Sequence, residues 1–146
     1  VTVDLDGAGI HPPNKIDVGE RLARWALAKD YGYENIVYSG PLATNAHATG
    51  NTVKIEFDHS ETGLVAGSNV LSGFEVAGED EVFHAAEANI NEDNTLILSS
   101  SSVPNPKYAR YGFAPCTELE VTLFNGAGLP ASAFIIEATQ AANHND

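Results

Sequence analysis

The sequence predicts a mainly β protein with one N-terminal helix, its bulk an antiparallel β-sandwich or jelly-roll-like domain over residues 35–138. Three observations predict it. A helical period of apolar residues occurs once, near the start. Beyond Gly32 the period changes to two and stays there. The alternating runs are short, recur at regular spacing and are separated by turn-rich segments with no helix between them, the pattern of stacked antiparallel sheets.

The helix is expected over residues 14–31. Val18, Leu22, Trp25, Ala26 and Ala28 fall on a helical period. Asn14 suits the N-cap, Asp17 and Glu20 suit the positive first turns, and Lys29 and Gly32 suit the end. Leu22 and Trp25 are expected as contacts between the helix and a neighbouring layer. The strands follow. Val53, Ile55 and Phe57 alternate with Lys54 and Glu56. Further strands are expected at Val82-Phe83 through Ile90, at 96–98, at 108–113, at 119–123 and at 134–136, and one continues directly from Ser72-Gly73. Residues 45–51, 91–94 and 104–106, rich in Asn, Asp, Gly and Pro, read as turns, and the small polar tail 139–146 as a frayed end.

Charge narrows the partners. Seven Lys and Arg stand against 20 Asp and Glu, a formal charge of −13. Such a surface disfavours nucleic acid or an anionic membrane as partner and suits a neutral, polyhydroxylated or cationic ligand. Four of the basic residues, Lys15, Arg21, Arg24 and Lys29, fall in the first thirty positions, so the remainder is more acidic still. The single Cys116 excludes an intramolecular disulfide and a multi-cysteine metal site. No apolar run approaches the roughly 20 residues that span a bilayer.

Several blocks of residues, in order, carry a resemblance. They are His11-Pro12 with Asn14-Lys15, Val18-Gly19-Glu20-Arg21-Leu22-Ala23, Tyr31-Gly32, Tyr38-Ser39-Gly40-Pro41-Leu42 and Gly63-Leu64. Gly73-Phe74-Glu75-Val76-Ala77-Gly78, Arg110-Tyr111, and Asn125 with Gly128-Leu129-Pro130-Ala131-Ser132 complete the set. In these the chain resembles the C-terminal portion of the sialate O-acetylesterases, carbohydrate esterases of the SGNH superfamily. The resemblance implies that residues 1–34 are the last loop and helix of an SGNH α/β hydrolase domain, with the β-sandwich after them.

It also implies a chemistry. Members of the family use a serine to remove acetyl groups from sugar hydroxyls, with no metal or organic cofactor. By carry-over His11 is the general base that deprotonates the serine and then protonates the departing alcohol. The serine and oxyanion-hole blocks of the family are not in this sequence, so the chain is expected to be inactive alone and to need an N-terminal hydrolase half or a second chain. The family's usual Asp-Ile-His-Pro reads Gly9-Ile10-His11-Pro12 here, leaving Asp6 and Asp4 as the nearest carboxylates to orient the imidazole. The substrate implied is an acetylated carbohydrate and the setting secreted or periplasmic. The alternative is a stand-alone accessory or carbohydrate-binding module, with Tyr31, Tyr33, Tyr38, Tyr108 and Tyr111 as sugar platforms.

Other candidates fail on context. Gly67-Ser68-Asn69 mimics the family's nucleophile kernel, but no helix opens after it. Asp4-Leu5-Asp6-Gly7 mimics a calcium loop but would need ligands at Ala8 and Lys15. His47, His59, His84 and His144 share no metal-ligand spacing. Arg110, a lone cation between Tyr108 and Tyr111, reads as a structural ion pair or a residue on a sugar-facing surface.

Overall fold

The computed structural model describes residues 4–5, 13–67, 70–114 and 121–140. One helix, α1 (Lys15–Lys29), precedes eleven strands among these residues. Asn14 is its N-cap: the side-chain Oδ1 accepts from the Asp17 N–H at 3.1 Å, and its Nδ2 donates back to the Asp17 carboxylate at 2.9 Å. One of the backbone donors that a helix start leaves unpaired is thereby satisfied, and the side-chain bond back to Asp17 holds the capping amide in place. At the other end Gly32, at φ 72°, turns the chain so that the Tyr33 N–H reaches the Leu27 carbonyl at 3.0 Å.

The strands are β1 (Leu42–Thr49), β2 (Thr52–Asp58), β3 (Leu64–Ala66), β4 (Phe74–Ala77), β5 (His84–Ala85), β6 (Glu87–Ile90), β7 (Leu96–Ser99), β8 (Tyr108–Tyr111), β9 (Leu123–Asn125), β10 (Phe134–Glu137) and β11 (Thr139–Gln140). They form a five-stranded sheet in the order β11-β1-β2-β7-β6, a four-stranded sheet in the order β10-β8-β4-β5, and the two-stranded β3-β9. The fold class is the expected one, mainly β with one helix and a sandwich of antiparallel sheets. Alternation explains the core: Val53, Ile55, Leu96 and Leu98 from the first sheet meet Phe74, Val76, Ala109 and Tyr111 from the second in one buried cluster. Phe74 and Tyr111, paired in register, stack with ring centroids 4.4 Å apart.

Several segments differ from the sequence expectation, among them Val82-Phe83, which precede β5 and lie in no strand. Most of the apparent turn at 45–51 is β1, which pairs with all of β2 through one register shift between Ala43 and Asn45. Its inward residues are Ala46 and Ala48, both buried, and its outward residues are Asn, His and Thr. Small inward side chains give no apolar alternation to read, so sheet pairing overrides local composition here. The start of the expected tail is also strand: Thr139 and Gln140 form β11, which pairs with β1 in parallel and departs from the otherwise antiparallel pattern. Ala138 is buried, its N–H held by the Lys107 carbonyl at 2.7 Å, and this anchors the edge. The strand expected at 119–123 begins at Leu123, with 115–120, including Cys116, outside the described residues.

Helix α1 buries no residue fully among the described ones. Leu22, expected as a contact, is 67% exposed, and Ile16 is 74% exposed, whereas Trp25 is partly covered by its edge-on contact with Tyr38 at 4.7 Å. The helix therefore meets the sandwich through its Arg21–Arg24–Trp25 side.

Candidate active-site segment and its junction with the sandwich

His11 and Asp6, the expected base and one expected orienting acid, lie outside the described residues, as do Ser68 and Asn69 of the apparent nucleophile kernel. Asp4 is described. Its carboxylate receives both ends of the Arg21 guanidinium, Nη1 to Oδ1 at 2.6 Å and Nη2 to Oδ2 at 2.7 Å, and both side chains are largely buried. The hydrogen bond that Arg21 donates to Asp4 raises the Arg21 pKa above its usual value, against the opposing effect of burial. A bidentate pair of this kind fixes orientation as well as charge and contributes about 1.5–3 kcal/mol. Asp4 is thus tied to the middle of α1. The sequence hint was the clustering of basic residues on this helix, but it did not identify Arg21 as the partner.

Beside this pair, α1 and the sandwich enclose a cavity of about 280 Å³ lined by Arg21, Trp25, Tyr38, Gly40, Leu129 and Ser132 among others. Tyr38 is the hinge of the junction: its ring meets Trp25 edge-on, meets His59 at 5.0 Å, and lies under the Lys29 ammonium at 4.7 Å. Arg24 donates to the Val37 carbonyl at 3.1 Å.

The 38–42 segment is fixed in turn by the 125–132 segment. Asn125, 1% exposed, donates through Nδ2 to the carbonyls of Ser39 at 2.9 Å and His59 at 3.0 Å, and its Oδ1 accepts from the Leu129 N–H at 3.1 Å. The Ser132 N–H reaches the Pro41 carbonyl at 3.1 Å. Gly40 packs so closely on this strap that a Cβ there would lie 1.9 Å from the Pro130 oxygen. Blocks far apart in sequence, 38–42 and 125–132, are therefore mutual partners. The same holds for 73–78 and 110–111, through the Phe74–Tyr111 stack and the Arg110–Glu75 ion pair at 2.7 Å. These residues build the scaffold and do not themselves present reactive groups.

The hydroxyls near the junction are structural. Ser39 is buried and donates to the Gly40 carbonyl at 2.9 Å. Elsewhere, the Thr139 hydroxyl lies 2.8 Å from His47 Nδ1 but donates to the Ala46 carbonyl at 3.1 Å. The imidazole then donates to it, the reverse of a nucleophile–base pair. Among the described residues no three His, Cys, Asp or Glu side chains gather to hold a metal ion. The tyrosine platforms are unequal: Tyr111 is buried with its hydroxyl accepting from the Thr122 and Leu123 N–H groups, and Tyr38 is engaged in the junction, while Tyr31 and Tyr33 are exposed.

No protein-family model and no curated protein matches this chain. Among solved structures it is similar to a carbohydrate acetylesterase from Xanthomonas citri, at 36% sequence identity and a TM-score of 0.82 over 90% of this chain. The match spans 30% of that protein's length. Over most of its length, therefore, the chain is related to one part of a carbohydrate esterase.

Proposed function

We propose that this chain is the C-terminal part of a sialate O-acetylesterase-like carbohydrate esterase of the SGNH type, contributing the catalytic base to a site whose serine lies on polypeptide outside these 146 residues. In this reading residues 1–34 belong to the hydrolase domain, and 35–138 form the sandwich that braces it. His11 takes the serine proton as the serine attacks the acetyl carbonyl, then returns it to the sugar oxygen as the ester bond breaks. A water activated by the same imidazole releases acetate.

The observation that carries the reading is the 36% identity with a carbohydrate acetylesterase across 90% of the chain. The Asp4–Arg21 clamp is compatible with it, since it fixes Asp4, which precedes His11 in sequence, to α1. Both oxygens of Asp4 face Arg21, which leaves Asp6 as the candidate carboxylate to orient the imidazole.

The test is acetate release from acetylated oligosaccharides by the complete hydrolase that contains this chain. His11→Ala is expected to reduce turnover by about 10⁶ with an unchanged melting temperature. Undiminished turnover in His11→Ala would overturn the assignment.

A further inference from the structure

We propose that the outward face of the β10-β8-β4-β5 sheet carries a binding site for neutral glycans, centred on Arg110 and independent of where the esterase nucleophile lies. Register pairs Ile135 with Arg110, Arg110 with Glu75, and Glu75 with Ala85, so these four residues form one row across the sheet. Their chain neighbours Phe74, Val76, Ala109 and Tyr111 are buried in the core, so by strand alternation the row faces away from it.

The row is organised around one cation. Arg110 donates through Nε to Glu75 Oε2 at 2.7 Å, which fixes the plane of the guanidinium. Its Cζ lies 4.1 Å from the Phe83 ring centroid and 5.1 Å from that of Phe113. Among the described residues no hydrogen bond engages its two Nη groups, which leaves a pre-oriented fork of donors beside the second Glu75 oxygen, an acceptor. Phe113, over the guanidinium, is 49% exposed, and Ile135, paired with Arg110 in register, is 58% exposed. Apolar flanks around a fixed donor–acceptor pair match a sugar ring, which offers an apolar C–H face and vicinal hydroxyls that both donate and accept.

Charge selects neutral sugars. The Arg110–Glu75 pair has no net charge, and the chain around it carries −13, so a polyanionic glycan meets repulsion where a neutral one does not. A purely structural ion pair accounts for the Nε contact. It does not account for the unbonded Nη donors of a quarter-exposed guanidinium beside two half-exposed apolar side chains.

The test is a titration of the 146-residue chain, followed by backbone amide chemical shifts, with cellohexaose, xylohexaose and mannohexaose in turn and hexagalacturonate as the anionic comparison. At least one neutral hexaose is expected to shift the Phe83, Arg110 and Phe113 amides together. Phe113→Ala and, separately, Ile135→Ala are expected to weaken that binding about tenfold, equivalent to about 1.4 kcal/mol, with the core resonances unmoved. The proposal is overturned by any of three results: no shift of these amides with all three neutral probes, unchanged affinity in both variants, or tighter binding of hexagalacturonate.

Discussion

Replacing Asn125 by alanine removes a buried side chain that joins the 38–42 segment, the His59 turn and the 125–132 strap. Three hydrogen bonds disappear at 2.9, 3.0 and 3.1 Å, and two carbonyls and one N–H lose their partner. Asn125 is 1% exposed, so water cannot simply take its place. At about 1 kcal/mol net per bond the loss is about 3 kcal/mol, a large share of a domain's total of about 5–15 kcal/mol. With a urea m-value of about 2 kcal/mol/M the unfolding midpoint falls by about 1.5 M at constant m. Equilibrium urea unfolding followed by far-ultraviolet circular dichroism measures it directly. Asn125→Asp keeps the shape but turns a charged acceptor toward two carbonyls, and is expected to cost more than the alanine. A midpoint shift below about 0.5 M for Asn125→Ala, about 1 kcal/mol, would refute the view that this residue holds the junction together.

Two glycines of the same sequence blocks are expected to respond in opposite directions. Gly40→Ala drives a Cβ into the Pro130 carbonyl and is expected to lower stability by about 2 kcal/mol or more, with amide exchange accelerated at 129–131. Gly19→Ala, inside α1 with nothing within 4 Å of its Cβ, is expected to raise stability by about 0.5–1 kcal/mol in the same unfolding assay. Asp93, hydrogen-bonded first by Lys54 at 2.6 Å and then by Thr95, has its pKa lowered from 3.8. A lowered carboxylate pKa stabilises above the unfolded value and loses that contribution as pH falls through the folded one, so the stability difference between wild type and Asp93→Asn is expected to vanish in strong acid. Thermal melts at neutral and acid pH, repeated at high salt to screen this exposed pair, check it.

The helix was legible almost to the residue, because its cap, first-turn acid and terminal glycine agree with its period: Asn14 and Gly32 sit where their chemistry requires. The central strands were legible wherever large β-branched or aliphatic side chains alternate, as at Val53, Ile55, Leu96 and Leu98. Strand β1 was not, since Ala46 and Ala48 bury little area and its outward Asn and His favour turns in isolation. Pairing with β2 and β11 supplies what local preference lacks. Arg110 was recognisable as an anomalous cation, and its partner Glu75, 35 residues away, is set by register that the sequence does not show. The same applies to Asp4 and Arg21, whose contact across 17 residues is tertiary. The blocks 38–42 and 125–132 stood out as motifs, and the structure explains them as packing against each other instead of as chemistry.

The most direct test of the proposed division of labour is to trap the nucleophile of the complete hydrolase with an aryl phosphonate and map the adduct by peptide mass spectrometry. The adduct is expected on a serine outside these 146 residues, forming about 10³-fold more slowly in His11→Ala. An adduct on a serine of this chain, or equal labelling rates with and without His11, would contradict the account.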